Sequence, residues 1–174
     1  MNNQQLKYLV AFKAEILPMQ LKIGDWLRKY VDNALTGSET TTMSYPPPIA
    51  KTIGFELVEI GPACATLKMQ TDPAIHGNPM GTVHGGVLCD LADAAMGTAH
   101  GTTLAENESF TSIDLRINFF RPLWKDKIRA SAKAVQLGKS VSFYSRDITR
   151  SDGKLVAVVT SSIMTLRGQD AKGR

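Results

Sequence analysis

Apolar residues recur with helical spacing at the start of the chain. They fall on one face of a helix between residues 4 and 17, and Pro18 follows, which cannot extend a helix without losing a hydrogen bond. A second apolar stripe runs over residues 23–35, and Gly37 is a typical helix stop beyond it. The pattern predicts an N-terminal helical extension over residues 1–37, whose stripes must pack against other structure.

A change in composition follows this predicted extension. Residues 38–48 contain Thr-Thr-Thr and Pro-Pro-Pro, and a proline run favours extended polyproline geometry. We therefore expect a linker over 38–48 and a main domain over 49–168. The last residues, 169–174, are expected to form a disordered tail.

The main domain shows two predicted strands before a helix and four after it. The first two cover residues 53–60 and 63–71, with Gly61-Pro62 between them. Residues 85–100 are rich in Ala, Leu and Met, and Gly101 stands where a helix would stop. The later strands are predicted at Phe110–Phe120, Lys127–Leu137, Ser140–Ile148 and Leu155–Leu166.

This order predicts an α+β fold with one long central helix. The helix is too apolar for a surface helix, so we expect an antiparallel sheet of about six strands to wrap it on most sides. A chain of 174 residues is long enough for one such domain with an appendage.

Charge and cysteine content exclude several classes of protein. The net charge is +4, without a dense basic run, and the first 48 residues hold five Lys/Arg against four Asp/Glu. That balance fits a small polyanionic ligand better than a nucleic acid. Cys64 and Cys89 form no Cys-x-x-Cys pair and no Cys/His cluster, so neither a metal site nor a disulfide is expected.

Hydropathy gives the expected location. No stretch of about 18 consecutive apolar residues occurs, which a membrane-spanning helix would need. The start also lacks a charged region followed by a long apolar run. We therefore expect no membrane insertion and a cytoplasmic location.

The candidate chemistry lies at the start of the central helix. Asn78, His84, Gly85 and Gly86 precede or begin this helix, and Asp93 follows. Glycines at a helix start let the backbone approach a ligand, and free N–H groups there lie at the positive end of the helix dipole. Such a group can stabilise the oxyanion that forms when a thioester is attacked.

Spacing along the helix has a structural consequence. Asp93 lies eight residues after Gly85, which is about 12 Å at 1.5 Å per residue. One carbonyl cannot contact both groups, so their cooperation requires a second, antiparallel copy of the helix. A twofold homodimer with shared sites would provide it.

The run Asn78-x5-His84-Gly85-Gly86-x6-Asp93 resembles the signature of hotdog-fold acyl-CoA thioesterases of the PaaI-like, phenylacetate-pathway type. The resemblance extends to Ser112-Ile113-Asp114, to Asn118 through Pro122, and to Gly138-Lys139. It covers about residues 49–167 and leaves the N-terminal helices unmatched. It implies a hotdog domain that hydrolyses acyl-CoA without a metal or cofactor, as a homodimer or dimer of dimers.

The resemblance also implies roles for individual residues. Asp93 would be the general base or the nucleophile, with the Gly85 N–H facing the carbonyl oxygen. Asn78 and His84 would place the thioester and the helix start, and Ser112 would orient the water. Gly86 would contact substrate, and basic residues at predicted loops are candidates for the CoA phosphates: Arg121, Lys125, Lys127, Lys139 and Arg150.

Three alternatives stay open from the sequence. Asp90, one turn before Asp93, competes for the catalytic role, although the family spacing favours Asp93. A hotdog hydratase or dehydratase would use a histidine with a carboxylate, but the chain has no His-Phe-Pro run. A non-catalytic acyl-CoA sensor would use the N-terminal helices as a partner-binding or DNA-binding module.

Overall fold

We describe residues 18–172 in a computed structural model of the chain. The helices are α1 (Ile23–Val31), α2 (Pro48–Ile53), α3 (Pro73–His76) and α4 (Gly85–Gly101). The strands are β1 (Met19–Gln20), β2 (Glu39–Thr40), β3 (Phe55–Gly61), β4 (Cys64–Gln70), β5 (Ser109–Ser112), β6 (Arg116–Phe119), β7 (Lys127–Gln136), β8 (Val141–Arg150) and β9 (Leu155–Leu166). The first predicted helix, residues 4–17, lies outside the described residues.

One antiparallel sheet forms the main body. Its strand order is β3-β4-β7-β8-β9-β5, and β6 also pairs with β9. Since β5 and β6 follow each other along the same edge of β9, they act as one interrupted strand, and the sheet has six strands in this sense. The predicted α+β fold, a hotdog arrangement of a sheet around a helix, is confirmed.

The interruption between β5 and β6 was not predicted. The Asp114 carboxylate accepts a hydrogen bond from the Ser162 N–H at 2.9 Å, and the Asp114 carbonyl accepts one from the Ser161 hydroxyl at 2.6 Å. These bonds replace the regular ladder at this point, so the predicted strand over 110–120 becomes two shorter strands.

Helix α4 packs against the concave face of the sheet. From Ala95 to Gly101 every residue is buried. Strand side chains that point at the helix, such as Leu67, Ala130 and Val159, are also fully buried or nearly so. This alternation follows from the period of two along a strand, which sends every second side chain into the core.

The first half of α4 differs from the second. Leu88 and Leu91 face the core, whereas Asp90 and Asp93 are exposed and Cys89 is half-buried. The sheet therefore covers the whole C-terminal half of the helix but leaves one face of the N-terminal half open.

The residues before the main domain pack on it. Ile23 and Leu27 of α1 are buried in the same apolar cluster as the central helix. Glu39 is also buried, where it accepts from Lys29 at 2.8 Å and from the Thr36 N–H at 2.9 Å. The N-terminal helical extension as a whole, with its boundary at residue 37, stays a prediction.

The ends of the described chain differ in detail from the predicted boundaries. Helix α1 ends at Val31, earlier than predicted, and Asn33 follows with a φ of 53°. Residues 168–171 form a short 3-10 helix that crosses the predicted start of the tail at residue 169. Among residues 18–172, no helix has both the length and the apolar character needed to cross a membrane.

Candidate active site

The start of α4 is held by hydrogen bonds from both sides. The His84 Nδ1 atom accepts from the Gly86 N–H at 2.9 Å, which makes His84 the N-cap of the helix. The His84 N–H donates to the His76 carbonyl at 2.8 Å. The Gly85 N–H, by contrast, has no acceptor among residues 18–172. One donor at the positive end of the helix is therefore free for a ligand.

Asn78 shapes the loop that leads to this helix. Its amide nitrogen donates to the Thr82 hydroxyl at 2.8 Å, and its amide oxygen accepts from the N–H groups of Met80 at 2.9 Å and Thr82 at 3.2 Å. These bonds close residues 78–82 into a compact turn. Asn78 thus lies where the sequence predicts, but most of its hydrogen-bonding capacity is used within the loop.

His76 supports the same loop, a role not predicted from the sequence. Its Nδ1 accepts from the Asp72 N–H at 3.0 Å, and its Nε2 lies 3.1 Å from the Ile53 carbonyl oxygen. Since Nδ1 accepts, the proton of the neutral ring must be on Nε2, where it can donate to Ile53. Ile53 is 23 residues away in the sequence, so no local pattern indicates this contact.

A cleft of about 410 Å³ opens beside Gly85. Its walls are largely apolar side chains: Val83, Leu88, Phe119, Phe120 and Leu123. Asn78 and Arg121 are the polar residues at its edge, so an uncharged group fits it better than a phosphate does.

Close contacts explain both glycines at the helix start. A Cβ on Gly85 would lie 2.7 Å from Cζ of Phe119, and one on Gly86 would lie 2.9 Å from Nδ1 of His84. Neither residue has a positive φ. The two positions therefore need glycine because side chains of this protein fill the space a Cβ would occupy.

Asp93 lies two helical turns beyond Gly85 and is exposed. The Ser112 hydroxyl donates to its carboxylate at 2.7 Å, so the structure brings these two predicted residues together. Asp90 is also exposed, and its carboxylate has no hydrogen-bond or ion-pair partner among residues 18–172. The Ser112 contact therefore distinguishes Asp93 from Asp90.

The helix keeps Gly85 and Asp93 apart within one subunit. Both belong to one continuous 17-residue helix, so the rise of 1.5 Å per residue puts them about 12 Å apart. The exposed face of α4 carries Gly85, Cys89 and Asp93 at intervals of four residues, which places all three on one side of the helix.

The candidate phosphate-binding residues lie in different places. Arg121 is at the cleft, where one guanidinium nitrogen donates to the Leu155 carbonyl at 2.7 Å. Lys125 pairs with Asp72 at 2.9 Å. Lys139 is exposed in the β7–β8 turn, next to the strand ends that adjoin the C-terminal end of α4. Within one subunit, Lys139 therefore lies at the opposite end of the sheet from the cleft.

The remaining candidates are placed by acidic neighbours or by exposure. Arg150 forms ion pairs with Asp152 and Asp126, and these partners raise the pKa of Arg150. Lys127 is exposed at the start of β7. Of the basic residues selected from the sequence, Arg121 alone lines the cleft.

Comparison with known proteins finds a similar family and similar proteins for this region. A sequence model described as "Thioesterase superfamily" matches residues 80–157. The chain is 25% identical over 115 residues to a 1,4-dihydroxy-2-naphthoyl-CoA hydrolase of Listeria monocytogenes, covering 66% of this chain and 93% of the relative. It is 26% identical over 134 residues to a medium/long-chain acyl-CoA thioesterase of Salmonella typhimurium, covering 69% and 86%.

Solved structures give the same result for the fold. The PaaI protein from the phenylacetic acid degradation operon of E. coli superposes with a TM-score of 0.68 at 21% identity, covering 85% of this chain and 97% of that one. A mutant of the phenylacetic acid degradation protein PaaI from Thermus thermophilus superposes with a TM-score of 0.63 at 28% identity, covering 68% and 98%.

The match at residues 80–157 includes the helix start, Asp93 and Ser112, and it extends through Arg121 into β9. The topology and the sequence therefore agree on the same stretch of chain. The residues that carry this site therefore match the model of the thioesterase superfamily, and the fold of the domain is the hotdog fold.

Proposed function

We propose that this protein hydrolyses acyl-CoA thioesters to a free acid and CoA at sites shared between two subunits. The observation that carries the proposal is the Gly85 N–H, which has no acceptor among residues 18–172 and lies at a helix start beside an apolar cleft. The sequence relatives named as acyl-CoA hydrolase and thioesterase support the same reaction.

The helix start supplies the electrostatic part of the reaction. When a nucleophile adds to the thioester carbon, negative charge develops on the carbonyl oxygen. The Gly85 N–H and the positive end of α4 stabilise that charge, and one such donor contributes about 3–4 kcal/mol to lowering the barrier. His84 keeps the Gly86 N–H engaged, so Gly85 is the donor left for the substrate.

Asp93 of the neighbouring subunit supplies the nucleophile. As a general base it takes a proton from water, the water oxygen bonds to the carbonyl carbon, and the C–S bond breaks to release the CoA thiolate, which is then protonated. As a nucleophile, its carboxylate would attack the carbonyl carbon and displace the CoA thiolate, which is then protonated, to leave a mixed anhydride. Water would then hydrolyse this anhydride to the free acid and regenerate the Asp93 carboxylate. Ser112 holds one carboxylate oxygen and leaves the other free for either route.

Polarity divides the substrate between two regions. The apolar walls of the cleft suit the acyl group, whereas Arg121 at its edge suits a phosphate of CoA. Lys139 lies too far along the sheet to serve the cleft of its own subunit, so in a dimer it would serve the partner's site. Neither assignment requires a metal or a cofactor, since CoA is part of the substrate.

A panel of acyl-CoA esters, followed by release of free thiol, tests the proposal. Wild-type protein should release CoA, and Asp93→Asn should lose activity by roughly a thousandfold or more, since it removes the base or nucleophile. Asp90→Asn is the matched control on the next turn of the same helix and should retain activity. Full activity in Asp93→Asn would refute the mechanism.

Mixing two inactive variants tests the shared site. A hybrid dimer of Asn78→Ala and Asp93→Asn subunits has one site with both changes and one intact site. Random exchange in an equal mixture makes about half of the dimers hybrid, so about a quarter of wild-type activity should return. No recovery, despite subunit exchange shown by mass spectrometry of labelled subunits, would contradict a composite site.

The same assays distinguish the alternatives. A hydratase would change the double bond of crotonyl-CoA without releasing thiol, which ultraviolet absorbance would detect. A sensor would bind acyl-CoA measurably by calorimetry but hydrolyse none of the panel. Either result would replace hydrolysis as the function of this site.

A further inference from the structure

We propose that Phe119 is a specificity-determining residue, whose ring selects unbranched acyl groups over groups branched next to the carbonyl. The inference rests on the proposed function, because it concerns how the acyl group is placed against Gly85. It starts from the contact between these two residues, which lie on different elements and are 34 positions apart.

The tip of the Phe119 ring fills the space beside the Gly85 Cα. A Cβ at Gly85 would lie 2.7 Å from Cζ, 3.1 Å from Cε1 and 3.5 Å from Cε2 of that ring. These three atoms are the far end of the phenyl group, so the ring meets the helix end-on.

The direction of this contact matters. In an α-helix the Cα–Cβ bond tilts toward the N-terminus, which is also the direction in which the first N–H groups point. A ring whose tip comes within 2.7 Å of the Cβ position of Gly85 therefore lies on the side of the helix start where a carbonyl oxygen would bind. A substrate bound to the Gly85 N–H has the Phe119 ring as its immediate neighbour.

The rest of the ring remains open to the cleft. Phe119 is 52% exposed although it is a large apolar side chain, and it forms part of the cleft wall with Leu88 and Val83. Phe119 lies on β6 and pairs with Ala157 of β9, so the backbone under the ring is fixed by regular strand pairing. The ring is therefore a wall on a rigid support.

A branch on the carbon next to the carbonyl is the substituent that this wall would exclude. That carbon is bonded directly to the carbonyl carbon, so it cannot move away while the oxygen stays on Gly85. An unbranched chain can run along the face of the ring, whereas a second substituent on the same carbon is forced against it. Extra groups in a close-fitting pocket typically change selectivity by roughly tenfold or more.

Isomeric acyl-CoA pairs measure this selectivity. The pairs are butanoyl with isobutanoyl, hexanoyl with its α-ethyl isomer, and octanoyl with its α-propyl isomer, each assayed as kcat/KM by thiol release. Wild-type protein should prefer the unbranched ester by about tenfold or more, and Phe119→Ala should bring the ratio close to one. Trp124→Ala, which removes an exposed aromatic ring outside the cleft, should leave the wild-type ratio unchanged.

A second variant pair tests the contact with Gly85. Gly85→Ala keeps the backbone N–H but adds a methyl group that collides with the ring, so its kcat/KM should fall by about tenfold or more. Adding Phe119→Ala should recover most of that loss, because the space is then free. Recovery of activity in a double variant is a result that two independent losses cannot produce.

The outcomes separate the inference from the function on which it rests. If Phe119→Ala still releases thiol but keeps the wild-type isomer ratio, the role of Phe119 is wrong and the hydrolase function stands. Phe119→Leu replaces Phe119→Ala in this test if circular dichroism shows that the alanine variant does not fold. Additive losses in the Gly85→Ala and Phe119→Ala combination also overturn the role of Phe119 alone. Absence of thiol release from every ester overturns both the hydrolase and the specificity residue.

Discussion

Replacement of Arg146 by methionine should stabilise this protein. Arg146 lies on β8 between Tyr144 and Ile148, with its side chain on the face that packs against α4, and it is only 1% exposed. Its Nε and Nη1 atoms have no hydrogen-bond partner within the described chain, and Nη2 donates to the Asp147 carbonyl at 3.2 Å. A buried guanidinium with so few acceptors costs free energy that an apolar side chain would not.

The pKa of the group sets the size of the effect. Burial lowers the pKa of Arg146 from its ordinary value to about 9, with the Asp147 charge opposing the change. Because one pKa unit corresponds to about 1.4 kcal/mol, this difference amounts to about 5 kcal/mol of unfavourable free energy at neutral pH, which is an upper bound. Replacements of buried ionic groups by apolar ones typically gain roughly 1–4 kcal/mol. We expect a gain in that range, or a rise in Tm of about 2–4 °C per kcal/mol.

Urea unfolding of wild type and Arg146→Met, at one protein concentration, measures the gain. Arg129→Met is the matched control, because Arg129 is an exposed arginine on the adjacent strand that pairs with Glu59. It should change stability by less than about 1 kcal/mol. A loss of stability in Arg146→Met would show that the guanidinium has strong partners and would refute the reasoning.

The pH dependence provides an independent check. The folded-state pKa of Arg146 is below its unfolded value, so between about pH 9 and the unfolded pKa the unfolded chain holds a proton that the folded chain lacks. Wild-type stability from this group therefore rises with pH in that window. The advantage of Arg146→Met should shrink as the pH rises above 9, and a constant advantage would contradict the assignment to charge burial.

Three further predictions follow from the core and the exposed helix face. Cys89 lies midway between Gly85 and Asp93, so a short bis-maleimide should link two subunits through Cys89 and give a dimer band on a denaturing gel. A dimer band that persists in Cys89→Ser would contradict this prediction. Burial lowers the pKa of His100, and Glu108 partly opposes this change. Below about pH 6.5 the unfolded chain therefore binds a proton that the folded chain lacks. As the pH falls, the stability of wild type should decrease more steeply than that of His100→Gln, by up to about 1.4 kcal/mol per pH unit. Leu27→Ala should cost about 2–5 kcal/mol in urea unfolding, because Leu27 is fully buried, and a cost below about 0.5 kcal/mol would mean that α1 is not part of the cooperative fold.

Composition and turn signals predicted the core elements well. Strand β9 has the predicted bounds Leu155–Leu166, and α4 begins at Gly85 as predicted. Both segments are long and rich in apolar residues, so few other arrangements could bury them. Shorter segments with fewer apolar residues were predicted less well, because several arrangements suit them.

Local polar contacts account for the differences in the fold. The proline run of residues 46–48 was interpreted as extended chain, yet Pro48 begins α2, since the first position of a helix needs no N–H donor. The strand over 110–120 was predicted as continuous, because nothing in its sequence shows that Asp114 bonds to β9. Such contacts join positions far apart in sequence and leave no periodic signal.

The site was predicted to the extent that its residues lie close together in the sequence. Asn78, His84 and Gly85 all belong to the loop and helix start, and their neighbourhood could be inferred from spacing. The contact between Phe119 and Gly85 could not, because it depends on how β6 is aligned on β9 below the helix. The same is true of His76 and Ile53, whose contact joins the ends of α3 and α2, two short helices that were not predicted.

The exposed half of α4 connects the stability of the protein with its proposed chemistry. Within one subunit the sheet buries the helix from Ala95 to Gly101 but leaves Cys89 half-buried, on the face that carries Gly85 and Asp93. An antiparallel second copy that places its Asp93 opposite Gly85 must also place Cys89 opposite Cys89, since Cys89 is midway between them. One packing of two helices would therefore cover the open face and complete two equivalent sites. If a single subunit hydrolysed thioesters without a partner, some residue other than its own Asp93 would have to act at the Gly85 N–H, because these two groups lie about 12 Å apart.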